Sequence, residues 1–349
     1  MAHQKKVAVA MSGGVDSSLT AAILICKGYE VVGVTMQLES DNFRERSCCS
    51  SKDVDDAAAV AEKLGIDFHV VDFRADFQKN VINYFVAEYL NGRTPNPCVR
   101  CNKRIKFGKL FDFADEIGAD FLATGHYARI VFEDNRYKLK KALDIRKDQS
   151  YVLYNLTPEK LSRIILPLGE MTKIETRALA EKLNLPVAQK PDSQEICFIP
   201  DNDYKSFLQN FAPNAEALQA GEIVDTAGKI LGRHNGVANY TIGQRKGLGI
   251  AAPNPLYVVK IDAENNQVIV GGADEVFSSE LTAENVHWIY EPAFPARLTA
   301  KIRYGPRVAD CTVYENLRVK FDTPQRAVTA GQSIVFYDGD EVLGGGVIR

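Results

Sequence analysis

Three cysteines and one glycine-rich turn carry most of the chemistry this sequence offers. Cys98 and Cys101 form a CxxC inside residues 93–109, RTPNPCVRCNKRIKFGK, a stretch with six Lys or Arg and no acid. Arg100, Lys103 and Arg104 flank the pair. Nearby cations, with the N-terminus of a following helix, lower a thiol pKa toward the nucleophilic thiolate. A half-zinc site is the alternative, but it calls for a second CxxC, and the sequence has none. The adjacent Cys48 and Cys49 suit a tetrahedral centre poorly. Cys197, in PDSQEICFI, follows a turn at 191–193 and lies between Ile196 and Phe198; read with Cys101 it is a candidate partner thiol. Cys26 and Cys311 are expected to pack on a helix or strand face. The turn is Ser12-Gly13-Gly14 in VAVAMSGGVDSS, residues 7–18. A strand, a turn that glycine makes easily and a helix opening at Asp16-Ser17-Ser18 together form an anion site. It is neither GxxxxGK[ST] nor GxGxxG.

These groups need a scaffold, and the apolar periodicity supplies one. Residues 7–10, 30–36, 68–73 and 121–124 read as buried strands. Residues 19–26, 53–64, 80–90 and 107–117 read as helices, several closed by glycine. Strands alternating with helices indicate a parallel sheet covered on both faces, with ligands beyond the carboxyl ends of the strands. The Ser12 turn, Met36 and Gly125-His126 all fall at such ends. Near residue 205 the character changes. Residues 221–232 and 256–270 read as hairpins, and five short strands at 298–304, 311–314, 318–321, 333–337 and 342–348 suggest a small barrel.

A length of 349 residues suggests two or three domains, and 46% apolar residues suffice for real cores. No run approaches the ~18 apolar residues of a membrane span, and no secretory leader is expected. Seven irregularly spaced cysteines fit a reducing cytoplasm rather than a disulfide framework. The net charge of -3 argues against a general nucleic-acid binder but leaves room for local basic patches.

SGGVDSS resembles the pyrophosphate loop of the PP-loop ATP pyrophosphatases. Together with RTPNPCVRCNKRIKF, ATGHYAR, KDQSYVLY, DSQEICFI, TIGQRKGLGI and GQSIVFYDGDEVLGGGVI, it makes the chain resemble the tRNA-specific 2-thiouridylase family almost end to end. That resemblance implies a Rossmann-like α/β catalytic domain of the PP-loop, adenine nucleotide alpha hydrolase-like type over 1–205. A central domain over 206–280 and a C-terminal β-barrel over 281–349 would follow. It implies ATP-dependent adenylation of the wobble uridine of tRNAs for Lys, Glu and Gln, then replacement of the activated oxygen by persulfide sulfur.

The resemblance also implies roles. Cys197 would take the persulfide from a sulfur-relay donor or cysteine desulfurase, and Cys101 would be the second catalytic thiol. Ala10, Met11, Ser12, Gly13, Gly14, Val15, Asp16, Ser17, Met36 and Gly125 match ATP-binding positions, Asp16 with Mg²⁺ or the pyrophosphate. Asn96, Pro97 and Cys98 match contacts to the target base. His126, Lys147, Asp148, Gln149, Arg303, Tyr304 and Gln332 match tRNA contacts. A monomer bound to one anticodon loop is expected. Many members carry Asp where this chain has Cys98. With three thiols, a [4Fe–4S] cluster on Cys98, Cys101 and Cys197 is an alternative route for sulfur. The competing functions are another PP-loop enzyme, such as an amidotransferase-type synthetase or a 4-thiouridine synthase, and a non-catalytic RNA binder. The 4-thiouridine synthase usually carries an RNA-binding domain before its ATP loop, and this loop starts at residue 10.

Overall fold

The computed structural model describes residues 4–38, 51–192 and 196–349; Cys48, Cys49 and Ser193 lie outside these. The chain divides into two compact units. One comprises Met1–Val81, Cys98–Asn202 and Gly339–Leu343; the other comprises Ile82–Pro97, Asp203–Asp338 and Gly344–Arg349.

The first unit is built on strands β1 (Lys6–Ala10), β2 (Glu30–Gln37), β3 (Asp67–Asp72), β4 (Phe121–Ala123) and β7 (Ile164–Ile165), with a hairpin of β5 (Arg129–Glu133) and β6 (Arg136–Lys140). The five-stranded sheet runs β3-β2-β1-β4-β7, all pairs parallel. Both faces of its centre are covered, so β1 reads as an unbroken run of small apolar residues: Val7, Ala8 and Val9 are fully buried. The helix Val15–Cys26 has two buried sides. Ala21 and Leu24 pack with Val7, Val9, Ala57 and Val60, while Val15 and Leu19 pack with Tyr127, Leu168 and Ala180. That double contact fixes where the helix begins, and its beginning is the glycine turn.

The strands expected at 7–10, 30–36, 68–73 and 121–124 form within a residue or so of those bounds. The helix expected at 107–117 starts earlier. An α-helix Pro97–Cys101 runs into a π-helical stretch Asn102–Lys109 and then the α-helix Leu110–Glu116. Proline at a first helical turn loses no intrahelical bond, so Pro97 opens the helix instead of excluding it. The helix N-terminus therefore falls at Pro97 and Cys98, not after Cys101 as expected. Cys26 is exposed at a helix end and does not pack, whereas Cys311 is fully buried and its thiol is pushed up to about 12 by that burial.

The second unit holds two sheets. Strands β8 (Ala220–Asp225), β9 (Ile230–Asn235), β10 (Tyr257–Asp262) and β11 (Gln267–Gly271) lie in the order β10-β11-β8-β9. Strands β12 (Phe277–Trp288), β13 (Ala296–Lys301), β14 (Ala309–Val313), β15 (Arg318–Arg326), β16 (Ser333–Asp338) and β17 (Glu341–Ile348) follow. Their order β12-β15-β14-β13-β16-β17 returns on itself where β17 pairs with β12, closing a six-stranded barrel. The sequence indicated five of these strands. The sixth, β12, is FSSELTAENVHW, in which Leu281 and Ala283 are the buried positions. Its alternation is too dilute to show as a period of two. Residues Ile82–Pro97 belong to this unit: Tyr89 meets Tyr204 with ring centroids 4.9 Å apart, and Thr94 N donates to Ala330 O at 2.8 Å. Among the described residues no helix is long and apolar enough to cross a membrane.

Leu19 fills the contact that sets the helix start. Leu19→Ala is expected to cost about 2–5 kcal/mol, read as a lowered denaturant midpoint at unchanged slope.

Candidate active site

The glycine turn is drawn tight by hydroxyls. Ser12 N donates to Ser17 Oγ at 3.1 Å, and Ser17 and Ser18 hydroxyls donate to Gly14 O at 3.1 and 2.9 Å. Met11 is held by both neighbours: its N–H donates to Val34 O, and its carbonyl accepts from Thr35 Oγ1 at 2.7 Å. Gly13 has φ +67°, and a Cβ there would lie 2.3 Å from Asp53 O. Gly125, at the end of β4, lies so close to the start of the first helix that a Cβ would meet Asp16 C and Ser17 N at 2.9 Å. Two strand ends and one helix start thus share a corner with no room for side chains. The first N–H groups of a helix lack intrahelical partners, and the helix dipole makes this corner positive.

Lys190 orients the turn from one side. Its Nζ donates to Gly13 O at 3.0 Å, Asp53 Oδ1 at 2.7 Å and Asp56 Oδ2 at 2.6 Å. Burial would depress this ammonium, but the hydrogen bonds to Asp53 and Asp56 outweigh it and raise the pKa. A trans peptide sends its C=O and the next N–H opposite ways. Holding Gly13 O toward Lys190 therefore turns Gly14 N–H to the other side.

A chain of charges leaves the corner at Asp16. Its Oδ1 accepts from Lys173 Nζ at 2.6 Å and Tyr127 Oη at 3.0 Å. Lys173 also pairs with Asp192 Oδ1 at 2.9 Å. Asp192 further takes Arg177 at 2.6 Å and Lys147 at 2.8 Å. Burial would push the Asp192 carboxyl up; hydrogen bonds from Lys147 and Lys173 prevail and bring it down to about 2. Tyr127 rises, first through burial and further through the Asp16 charge, although its bond to Thr176 works the other way. The sequence did not single out Lys173, Arg177, Tyr127 or Lys190. The signal was present as Thr172-x-x-Glu175, a capping box that starts the helix Lys173–Lys182 and sets Lys173 and Arg177 one turn apart on one side.

The other expected positions are placed as follows. Met36 is half-buried at the end of β2. Cys98 is exposed, Cys101 is buried and Cys197 is half-buried; all three lie in the first unit. Phe198, beside Cys197, packs on Phe77 with ring centroids 5.7 Å apart. Among the described residues no three His, Cys, Asp or Glu gather as a metal-binding group. Cys98, Cys101 and Cys197 do not form such a group. Asp148 is buried and accepts from Ala142 N, Ser150 N and Ser150 Oγ at 3.0–3.1 Å, while Gln149 Oε1 accepts from Tyr127 N at 2.9 Å. His126 is buried, with Nδ1 2.7 Å from Thr124 Oγ1 and its ring beside Phe107. Asn96, Pro97, Arg303, Tyr304 and Gln332 lie in the second unit. There Arg303 and Tyr304 are exposed, Arg303 donating to Ala327 O at 3.1 Å, and Gln332 Nε2 donates to Thr94 O at 2.8 Å.

Three domain families match the chain in order. Residues 5–201 match the tRNA methyl transferase HUP domain, 205–272 the tRNA methyl transferase PRC-barrel domain, and 278–348 the aminomethyltransferase β-barrel domain. The tRNA-specific 2-thiouridylase MnmA of Acetivibrio thermocellus is 53% identical, covering 99% of each chain. The protein of that name from Carboxydothermus hydrogenoformans is 51% identical over 99% of this chain and 98% of its own. A 4-thiouridine synthetase–RNA complex with bound ATP aligns with a TM-score of 0.38 at 19% identity, covering 60% of this chain and 51% of that one.

Burial first, and the Lys106 charge second, hold the His126 pKa well below its ordinary value, so the ring is neutral at pH 7. The unfolded chain then takes up the proton first, near pH 6.5. The His126 contribution to stability is complete above about pH 6.5 and is lost as pH falls below it toward the folded value. Imidazole NMR signals of His126 are expected to stay flat from pH 8 to about pH 6; a midpoint near 6.5 would mean an exposed ring.

Proposed function

The chain belongs to the tRNA-specific 2-thiouridylase family, and from that premise we propose that it converts the wobble uridine of tRNA to 2-thiouridine at the expense of ATP. The single observation that carries this reading is the corner where Ser12, Gly13, Asp16 and Gly125 meet in the same unit as the thiols Cys101 and Cys197. The domain descriptions name a methyl transfer, and the full-length relatives name a thiolation. Two thiols in the same unit as an anion-binding corner favour thiolation, because methyl transfer needs neither a persulfide carrier nor ATP cleavage.

ATP would place its phosphates against the Gly13–Gly14 backbone and the helix start, with Met36 and Gly125 bordering the nucleoside. The uridine O2 attacks the α-phosphorus, and pyrophosphate leaves. The carbonyl oxygen, a poor leaving group, is now part of AMP. The terminal sulfur of a Cys197 persulfide attacks C2, and AMP departs. The Cys101 thiolate then attacks Cys197 Sγ and breaks its bond to the transferred sulfur. Sulfur stays on C2, a Cys101–Cys197 disulfide forms, and a two-electron thiol reductant restores the pair. Asp16 fits Mg²⁺ held mainly by phosphate oxygens and water, and the ion when bound would neutralise phosphate charge.

The basic stretch at 93–109 suits phosphates of an anticodon loop, whose unpaired base can be splayed out at modest cost. Asn96, Pro97 and Cys98 would meet the target base. Exposed Arg303 and Tyr304 suit a phosphate and a stacked base; Gln332 of the same unit, and Lys147 and Gln149 of the first, are the further candidate tRNA contacts. We assign buried His126 and Asp148 to shaping the floor beneath the RNA. We take the domains as 1–205, 206–280 and 281–349, the protein as a cytoplasmic monomer on one tRNA, and the sulfur source as a relay protein or cysteine desulfurase. Seven irregularly spaced cysteines support the reducing compartment.

Nucleoside mass spectrometry of tRNA incubated with protein, ATP and a sulfide source should show 2-thiouridine. Cys101→Ala and Cys197→Ala should each lower persulfide-driven product at least ~100-fold while tRNA affinity holds; near-normal turnover in either rejects the two-thiol scheme. Asp16→Asn should lower tRNA-dependent pyrophosphate release by ~100-fold or more, and unchanged release would remove Asp16 from the ATP site.

A further inference from the structure

A third thiol stands one helical turn from Cys101. Cys98 and Cys101 both lie in the α-helix Pro97–Cys101, and residues three apart on a helix are neighbours on one side. Helix geometry puts their Cα atoms about 5 Å apart, inside the range that a disulfide spans. The two differ in access: Cys98 is exposed, while Cys101 is 8% exposed. Cys98 falls in the first turn, whose N–H groups have no intrahelical partners and favour a thiolate. A CxxC beside βαβ units is a pattern of dithiol redox chemistry. The two-thiol scheme leaves a need for such chemistry. It ends with an oxidised pair, one member of which is buried, and thiol–disulfide exchange is slow at a sulfur that a reductant cannot reach.

We propose that Cys98 is the resolving thiol that resets the catalytic pair, passing the oxidation from a Cys101–Cys197 disulfide to an accessible Cys98–Cys101 disulfide. The inference rests on the two-thiol reading of the site. Once product has left, the Cys98 thiolate attacks Cys101 Sγ. The Cys101–Cys197 bond breaks, a Cys98–Cys101 bond forms, and Cys197 leaves as a thiolate that takes up the proton Cys98 gave. This exchange moves no net electrons. A dithiol reductant then attacks Cys98 Sγ, and Cys101 leaves as a thiolate. The second thiol of the reductant closes on the first and releases Cys98 reduced, so both electrons come from the reductant. A thiol held one turn away attacks ahead of an external thiol that must first collide with a sheltered sulfur. Cys197 is thereby a thiol again, ready for the next sulfur, before any reductant has arrived.

Peptide mapping after one turnover tests this. The full chain is loaded by a cysteine desulfurase with L-cysteine, reacted with ATP and tRNA without added reductant, quenched with N-ethylmaleimide and digested. The wild-type chain is expected to carry mainly the Cys98–Cys101 disulfide with Cys197 alkylated, and Cys98→Ser mainly the Cys101–Cys197 disulfide. Thioredoxin is expected to re-reduce the oxidised wild type ~10-fold faster than oxidised Cys98→Ser. Should that variant fold poorly, the wild-type map alone decides. A wild-type chain that keeps the Cys101–Cys197 disulfide with Cys98 alkylated, or equal re-reduction of the two proteins, overturns the relay while the two-thiol reading stands. Formation of 2-thiouridine with Cys101 alkylated and no disulfide overturns both, as does a failure to form 2-thiouridine.

Discussion

The bond between Lys173 and Asp16 is the constraint on which the site depends. Asp16 opens the helix that caps the glycine turn, and Lys173 opens the helix Lys173–Lys182, so their 2.6 Å contact joins two helix starts. An ammonium at a helix N-terminus is unfavourable, because the dipole there is already positive. Lys173 tolerates the position because two carboxylates receive it and the Thr172–Glu175 capping box places a further acid in the same turn. Partly buried ion pairs of this kind add little net stability against their desolvation, but breaking one partner is costly. Their effect is to fix geometry, and the geometry fixed here is that of an anion-binding corner.

The corner also explains which residues are small. A side chain at Gly125 would strike the peptide between Asp16 and Ser17, and one at Gly13 would strike Asp53 O. Both positions let backbone approach backbone, which leaves N–H groups able to wrap a phosphate. Lys190 adds orientation to that closeness by holding Gly13 O from the side of Asp53 and Asp56. The turn is thus set from both faces: by serine hydroxyls within and by a lysine outside.

How much of this was legible in the sequence follows from where each signal comes from. Strands β1 and β2 are buried on both faces, so they show as unbroken apolar runs, and the glycine turn shows by its residue types. Strand β7 has two residues and β12 two buried positions, too few to make a period. The helix from Pro97 was hidden because two prolines argue for a loop, although one of them sits where a helix tolerates it. Its π-helical stretch, Asn102–Lys109, spoils the 3.6-residue spacing by which a helix is found. The charge chain was invisible for another reason. Asp16, Lys173 and Asp192 are far apart in sequence and unremarkable one by one; only the parallel sheet brings them together.

The three thiols of the first unit sit in different environments. Cys98 is exposed near a helix N-terminus, Cys101 is buried at the join of α and π geometry, and Cys197 is half-buried next to a phenylalanine anchored on Phe77. A thiol that receives sulfur from another protein must be reachable, and half-buried Cys197 meets that need better than Cys101 does. A thiol that acts after the substrate is seated benefits from shelter, since a buried sulfur is slow to react with stray oxidants or free thiols. Burial of Cys101 offers that shelter. Under the proposed function, sulfur would load on half-buried Cys197 and be released by buried Cys101.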